Sequence, residues 1–241
     1  MAPRAIGQDI PMARRTLRPG VPRRSLAYRL TRFVGGTALA SLGVALLILG
    51  PLRQLILPPP VEGLNERLDA DGRLLGHFPY PEAESSNLVN LAPGVRLRPE
   101  AASALERLQH AAAADGIDLV VLSAFRPVSL QRRLFFDVMA ARNQTSKDRA
   151  RVSAPPGFSE HSTGFAIDVG DGRAPQTNLS PSFDQTAAFQ WLEANAARYH
   201  FVLSFPPGNR QGVSYEPWHW RFEGSTDALK LFEPAQRLDA G

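Results

Sequence analysis

The chain has 241 residues, 44% of them hydrophobic, no cysteine, and a formal net charge of +4. That length and apolar content suffice for one substantial domain, and the lack of cysteine excludes disulfides and thiolate chemistry. The positive charge is local: the first 32 residues hold eight arginines against the single acid Asp9, which leaves 19 basic and 22 acidic residues beyond them.

Residues 1–32 read as a disordered basic tail in the cytoplasm. They carry no interleaved aromatics or binding motif, so nucleic acid is not an expected partner. From Phe33 to Leu52 no charged residue occurs over twenty positions, about what a helix needs to cross the hydrocarbon core. A transmembrane helix is expected there. A cleaved signal peptide is the rival reading, but the cleavage-like Ala38-Leu39-Ala40 leaves only five residues after Arg32 for an apolar core. The positive-inside rule then sets a single pass in the inner (cytoplasmic) membrane, with the rest of the chain on the periplasmic or extracytoplasmic side. Residues 53–98, starting with the stiff spacer Pro58-Pro59-Pro60, are expected to form a linker and peripheral strands. His77 has no motif around it and is expected at the surface or half-buried.

Pro99 to Ala114 reads as a helix, with proline in its first turn and Ala101, Leu105, Leu108 and Ala112 at helical spacing. Asp118 to Phe125 is a near-continuous apolar run, expected as a strand buried on both faces. Arg126 stands where it stops. Ser129 is placed to cap a following helix with the stripe Leu130, Leu134, Phe135 and Val138. Pro181 to Tyr199 is expected as one long helix and Phe201 to Phe205 as a strand. Tyr215 to Phe222 is expected as an irregular strand because of Pro217, with Trp218 and Trp220 facing the core. Residues 223–241 read as a short helix and a loose end. Arg142 to Ser153 and Pro206 to Ser214 are irregular and supply the pocket walls.

Two stretches carry the chemistry: Gly157-Phe-Ser-Glu-His-Ser-Thr-Gly-Phe-Ala-Ile-Asp168 and Tyr215-Glu-Pro-Trp-His-Trp-Arg221. His161, Asp168 and His219 can supply three nitrogen and oxygen ligands, the set a catalytic zinc takes while keeping a position open for water. Two imidazoles and a carboxylate would also suit iron or cobalt. Glu216, three residues before His219, is the candidate base beside the water. His161 and Asp168 are seven apart, which in a straight strand would put them on opposite faces, so a bend is expected at Thr163-Gly164. Glu160 is given no chemistry.

These residues form the patterns S-x-H-x-x-x-x-x-x-D (Ser159, His161, Asp168) and E-x-W-H (Glu216, Trp218, His219). A third pattern, S-x-[YF]-R with a glutamine five positions on, reads Ser123-Ala-Phe-Arg126 and Gln131. Over about Pro99 to Phe222 the chain resembles the D-alanyl-D-alanine carboxypeptidases of the VanY type. The resemblance implies an α+β, compact hedgehog/DD-peptidase-like fold with a central antiparallel sheet in residues 99–222. It further implies Zn2+ on His161, Asp168 and His219, Glu216 as base, and Arg126 as stabiliser of the oxyanion. Ser123, Gln131 and Ser159 would bind substrate. The implied reaction is removal of the terminal D-alanine from peptidoglycan stem peptides. A related murein L,D- or endopeptidase, or a zinc-bearing binding module without turnover, are the alternatives.

Overall fold

The computed structural model describes residues 58–240 of the chain. The basic tail and the apolar stretch 33–52, on which the membrane-helix expectation rests, lie outside these residues. Among the described residues no helix is long and apolar enough to cross a membrane.

A small antiparallel hairpin, Val89–Ala92 (β1) with Val95–Leu97 (β2), comes first. It leads into α1, Pro99–Ala114, which buries Leu105, Leu108 and Ala112 along one face. Then follow β3 (Leu119–Ser123), α2 (Val128–Ala141), α3 (Ser146–Ala150), β4 (Ala166–Asp171), α4 (Ala187–Asn195), β5 (Phe201–Leu203), β6 (His219–Phe222) and α5 (Thr226–Ala240). The last four strands form one antiparallel sheet in the order β3-β4-β6-β5. The architecture is therefore α+β with an antiparallel sheet, as expected.

Strand alternation divides the sheet into a core face and a site face. Ile167 and Val169 of β4 and Trp220 and Phe222 of β6 pack with Leu105 and Leu108 of α1 and Phe189 and Leu192 of α4 in one apolar core. The intervening residues, Asp168 on β4 and His219 and Arg221 on β6, point the other way. Register then lines up the chemistry: Asp168 is paired with His219 on one side and with Ser123 on the other.

The bend before β4 is where the sequence places it. A 3-10 turn, Glu160–Thr163, ends on Gly164 at φ 75°, a left-handed conformation. A Cβ on Gly164 would lie 2.7 Å from Leu88 Cδ2, so both dihedral and space call for glycine.

Several expectations are corrected. β3 is an edge strand and mostly half-buried rather than covered on both faces. The stretch 181–199 is broken: a 3-10 turn at Pro181–Gln185, then α4 capped by the Thr186 side chain on Phe189 N–H, then a second 3-10 turn at Ala196–Tyr199. Thr186 sits in an extended conformation, which no continuous helix tolerates. Ser129 lies inside α2, whose first N–H, on Val128, is satisfied instead by the Glu82 carboxylate at 2.7 Å. Only His219 onward is strand, since Glu216 to His219 is a turn closed by His219 N–H on Glu216 O at 3.1 Å. Trp220 is in the core, and Trp218, half-buried, packs against that core and also lines the cavity described below. His77 is neither exposed nor half-buried. It is buried against Phe205 with its ring 2.7 Å from the Ala150 carbonyl. The C-terminal helix α5 runs fifteen residues and includes Pro234.

Candidate metal centre

His161, Asp168 and His219 converge, and a ligand atom from each lies within 4.8 Å of the others. Asp168 stands between the rings: its Oδ2 is 3.1 Å from His161 Nε2 and its Oδ1 is 3.2 Å from His219 Nδ1. All three residues are buried. Asp168 Oδ1 has no hydrogen-bond partner of acceptable geometry among the described residues.

Each imidazole is oriented by its far nitrogen. His161 Nδ1 is 2.7 Å from the Ala124 carbonyl, an acceptor only, so the hydrogen sits on Nδ1 and the lone pair on Nε2 faces Asp168. His219 Nε2 is 2.9 Å from the Glu160 carboxylate, which leaves Nδ1 facing Asp168. Histidine ligands held in this manner by a carbonyl or carboxylate are the usual arrangement around a metal. An unpartnered carboxylate oxygen and two lone pairs aimed at one point form a donor set that fits zinc.

The electrostatics agree. Burial favours the neutral imidazole of His219, but the Asp168 and Glu160 carboxylates beside its two ring nitrogens outweigh it and push the pKa up to about 10. A positive charge is thus wanted between these carboxylates, and a proton or a metal ion can supply it. His161 goes the other way, its pKa lowered by burial and then by the Arg126 guanidinium. The Asp168 carboxyl is held far below the usual carboxylate range because its two imidazole partners outweigh the cost of burial.

Glu160 is the residue that the sequence reading missed. It is 3% exposed, and it accepts from His219 Nε2, from Ser204 Oγ at 2.6 Å and from Arg221 Nη1 at 3.2 Å. Burial opposes its ionisation, yet Arg221 and His219 hold its pKa at about 2. Arg221 lies two residues after His219 on the same face of β6, so one strand delivers both groups. The sequence did contain a signal: an acid beside one histidine and an arginine two residues from the other.

Glu216 is buried, with Oε2 3.8 Å from His219 Nδ1. Burial, only partly countered by His219, pushes its pKa up to about 7. Such a carboxylate stands by the metal ligands without joining the set and is poised to exchange protons near neutrality.

Arg126 follows β3 and reaches the same point. Its Nη1 donates to Gln131 Oε1 at 3.0 Å, while Nη2 donates to Ser123 Oγ at 3.0 Å and to Asp168 Oδ2 at 3.4 Å. Gln131 is 0% exposed and its amide nitrogen donates to Ser153 Oγ and Ala154 O. In this structure Ser123 and Gln131 brace the guanidinium and neither lines the cavity. Ser159 does line it, along with the metal ligands, Glu216 and Arg126. The cavity holds about 540 Å³, and its walls include Arg142, Arg149, Val152, Ser153, Val213 and Ser214; the first of the two stretches expected to be irregular thus carries the short helix α3, which bears Arg149.

Residues 94–225, more than half of the chain, match the model of the VanY family, described as D-alanyl-D-alanine carboxypeptidase. The chain is 30% identical over 170 residues to a D-alanyl-D-alanine carboxypeptidase of Enterococcus faecalis, covering 67% of this chain and 61% of that one. It thus spans less than two thirds of that relative's length. Among solved structures it resembles the LD-carboxypeptidase LdcB, with a TM-score of 0.57 and 26% identity over 76% of this chain and 91% of that one. It also resembles a mutant of the vancomycin resistance D,D-pentapeptidase VanY from a VanB-type cassette, in complex with Zn(II). The TM-score is 0.51 at 29% identity, over 65% of this chain and 89% of that one.

Proposed function

Given that the chain belongs to the VanY family of D-alanyl-D-alanine carboxypeptidases, we propose that it is a zinc-dependent D,D-carboxypeptidase that releases the terminal D-alanine from peptidoglycan stem peptides. One observation carries this reading: two oriented imidazoles and a carboxylate converge on one point, with the unligated Glu216 beside them.

His161, Asp168 and His219 would hold the zinc, which when bound supplies Lewis acidity toward a carbonyl and a water. The chain's own groups divide the remaining work. Glu216, ionised, takes a proton from the attacking water on its carboxylate and then returns one to the leaving amine. Arg126, kept in place by Gln131 and Ser123, offers N–H donors to the oxygen that becomes negative. Where water is excluded, one such donor is worth roughly 3–4 kcal/mol of barrier. Glu160, through Nε2–H of His219, fixes the tautomer that binds metal.

The likeness to an LD-carboxypeptidase favours one second reading, in which the same centre removes D-alanine across an L,D bond of a tetrapeptide. The sequence further supports a unit tethered by residues 33–52 to the outer face of the cytoplasmic membrane, where stem peptides occur. Extraction of the full chain by detergent but not by alkaline carbonate would test the tether.

The decisive experiment incubates the zinc-loaded protein with a pentapeptide ending in D-Ala-D-Ala and with the tetrapeptide lacking its last residue, and follows D-alanine by mass spectrometry. Release from the pentapeptide alone, lost in Glu216→Gln, is the expected result. Release from the tetrapeptide alone establishes the L,D reading, and no release from either with zinc bound overturns both.

A further inference from the structure

One buried guanidinium in the cavity wall has no carboxylate of its own among the described residues. Arg149, on α3, is 8% exposed. Its Nη2 donates to the Leu134 carbonyl at 3.0 Å, and its Nε is buried with no hydrogen-bond partner. Arg142, exposed at the C-terminal cap of α2, lines the same cavity. Among the described residues neither arginine forms an ion pair.

The contrast with the other two guanidiniums near the site is informative. Arg126 is engaged by Gln131, Ser123 and Asp168, and Arg221 by Glu160 and Glu223. Arg149 alone of the three is left with a single carbonyl. Burial, and then the like charge of Arg142, lower its pKa, with Glu216 opposing. Burying a cation is costly unless a counter-charge meets it. Among the described residues no carboxylate pairs with it, Glu216 acting only from beyond ion-pair distance, and the group faces a cavity that holds the reaction centre.

We propose that Arg149, with Arg142 at the rim, forms a carboxylate-binding subsite for the peptide substrate, apart from the metal ligands and the reacting atoms. The inference rests on the stem-peptide reading above. A planar guanidinium with free N–H groups suits a carboxylate, which it can grip through two parallel hydrogen bonds. A stem peptide offers two kinds, its terminal carboxylate and the free carboxylate of an internal acidic residue. The subsite holds the peptide before and throughout bond cleavage, so it acts on substrate affinity more than on turnover.

The test measures binding by calorimetry to the full-length, zinc-loaded Glu216→Gln protein, which removes turnover from the readout. Three peptides are compared: the pentapeptide with all carboxylates free, its C-terminal amide, and the same peptide with its internal acidic side chain amidated. Adding Arg149→Gln is expected to weaken the free pentapeptide on the order of ten- to a hundredfold, and adding Arg142→Gln to weaken it by less. For one of the two amidated peptides the loss disappears, and that peptide identifies the carboxylate held. Arg149→Lys, which keeps the charge without the fork, should fall between the parent and Arg149→Gln with unchanged zinc affinity and thermal midpoint. Equal affinity of parent and Arg149→Gln for all three peptides, or an equal loss for all three, overturns the subsite and leaves the peptidase reading intact. If the parent itself binds none of them, the stem-peptide reading falls and the subsite falls with it.

Discussion

The Glu160 carboxylate takes the Nε2 hydrogen of His219 at 2.9 Å, while the other ring nitrogen of His219 faces Asp168 at 3.2 Å. Removing the negative charge of Glu160 would loosen this ring and leave Arg221 short of a partner. Glu160→Gln is therefore expected to weaken zinc binding by about 10- to 100-fold, measured by competition with a chromogenic chelator. It should also cost about 3 kcal/mol of stability, because it breaks a buried pair from one side. Zinc affinity equal to that of the parent would remove Glu160 from the metal centre.

Glu216 must be ionised to accept a proton. Burial raises its pKa to about 7, and the charge of a bound zinc would pull it back toward the ordinary carboxylate value. The acidic limb of kcat/KM is accordingly expected between those limits, with activity falling tenfold per pH unit below it. Glu216→Gln should lower kcat by about 10²- to 10⁴-fold while one zinc per chain remains bound. A profile flat from pH 4 to 8 would exclude a titrating carboxylate from the rate-limiting step.

His77 predicts an acid-sensitive fold. Burial lowers its pKa from 6.5 to about 4. Between those values the unfolded chain binds a proton that the folded chain refuses, so stability is lost as pH falls from 6.5 to 4. The contribution is roughly 3 kcal/mol over the window and constant below it. Urea midpoints collected across this range should show a shallower fall in His77→Gln, and an identical slope in the two proteins would rule out His77 as a source.

Gly164 predicts a coupling between backbone and metal. Its φ of 75° and the 2.7 Å approach of Leu88 Cδ2 to a Cβ make Gly164→Ala strained in both dihedral and space. A cost of about 1–3 kcal/mol is expected, read as a lower thermal midpoint. Because Gly164 joins the turn bearing His161 to the strand bearing Asp168, zinc affinity should fall as well. A variant that melts lower yet binds zinc as the parent does would show that the two ligands are positioned independently of this bend.

What the sequence made legible is what depends on neighbours in the chain. The apolar spacing of α1 and the Gly164 bend are local. So is the five-residue step that puts Gln131 in the first turn of α2, under Arg126. The structure also brings His161, Asp168 and His219 together, and their residue types already named them as a ligand set. What stayed hidden depends on partners far away: Glu160 meets His219 and Arg221 at separations of 59 and 61 residues. The burial of His77 likewise depends on Ala150, 73 residues on. The break at Thr186 was missed for another reason, since a threonine that caps a helix and one inside it look alike until the backbone is seen.

The pairing of Asp168 with His219 across β4 and β6 fixes two of the three ligands by strand register, whereas Arg142, Val152, Val213 and Ser214 stand on connections between elements. An inserted or deleted residue in either strand would turn a ligand into the core, while the same change in a connection only reshapes a wall. Such a molecule can change its choice of peptide through its connections while keeping its hydrolytic chemistry, and that is where an engineer should cut.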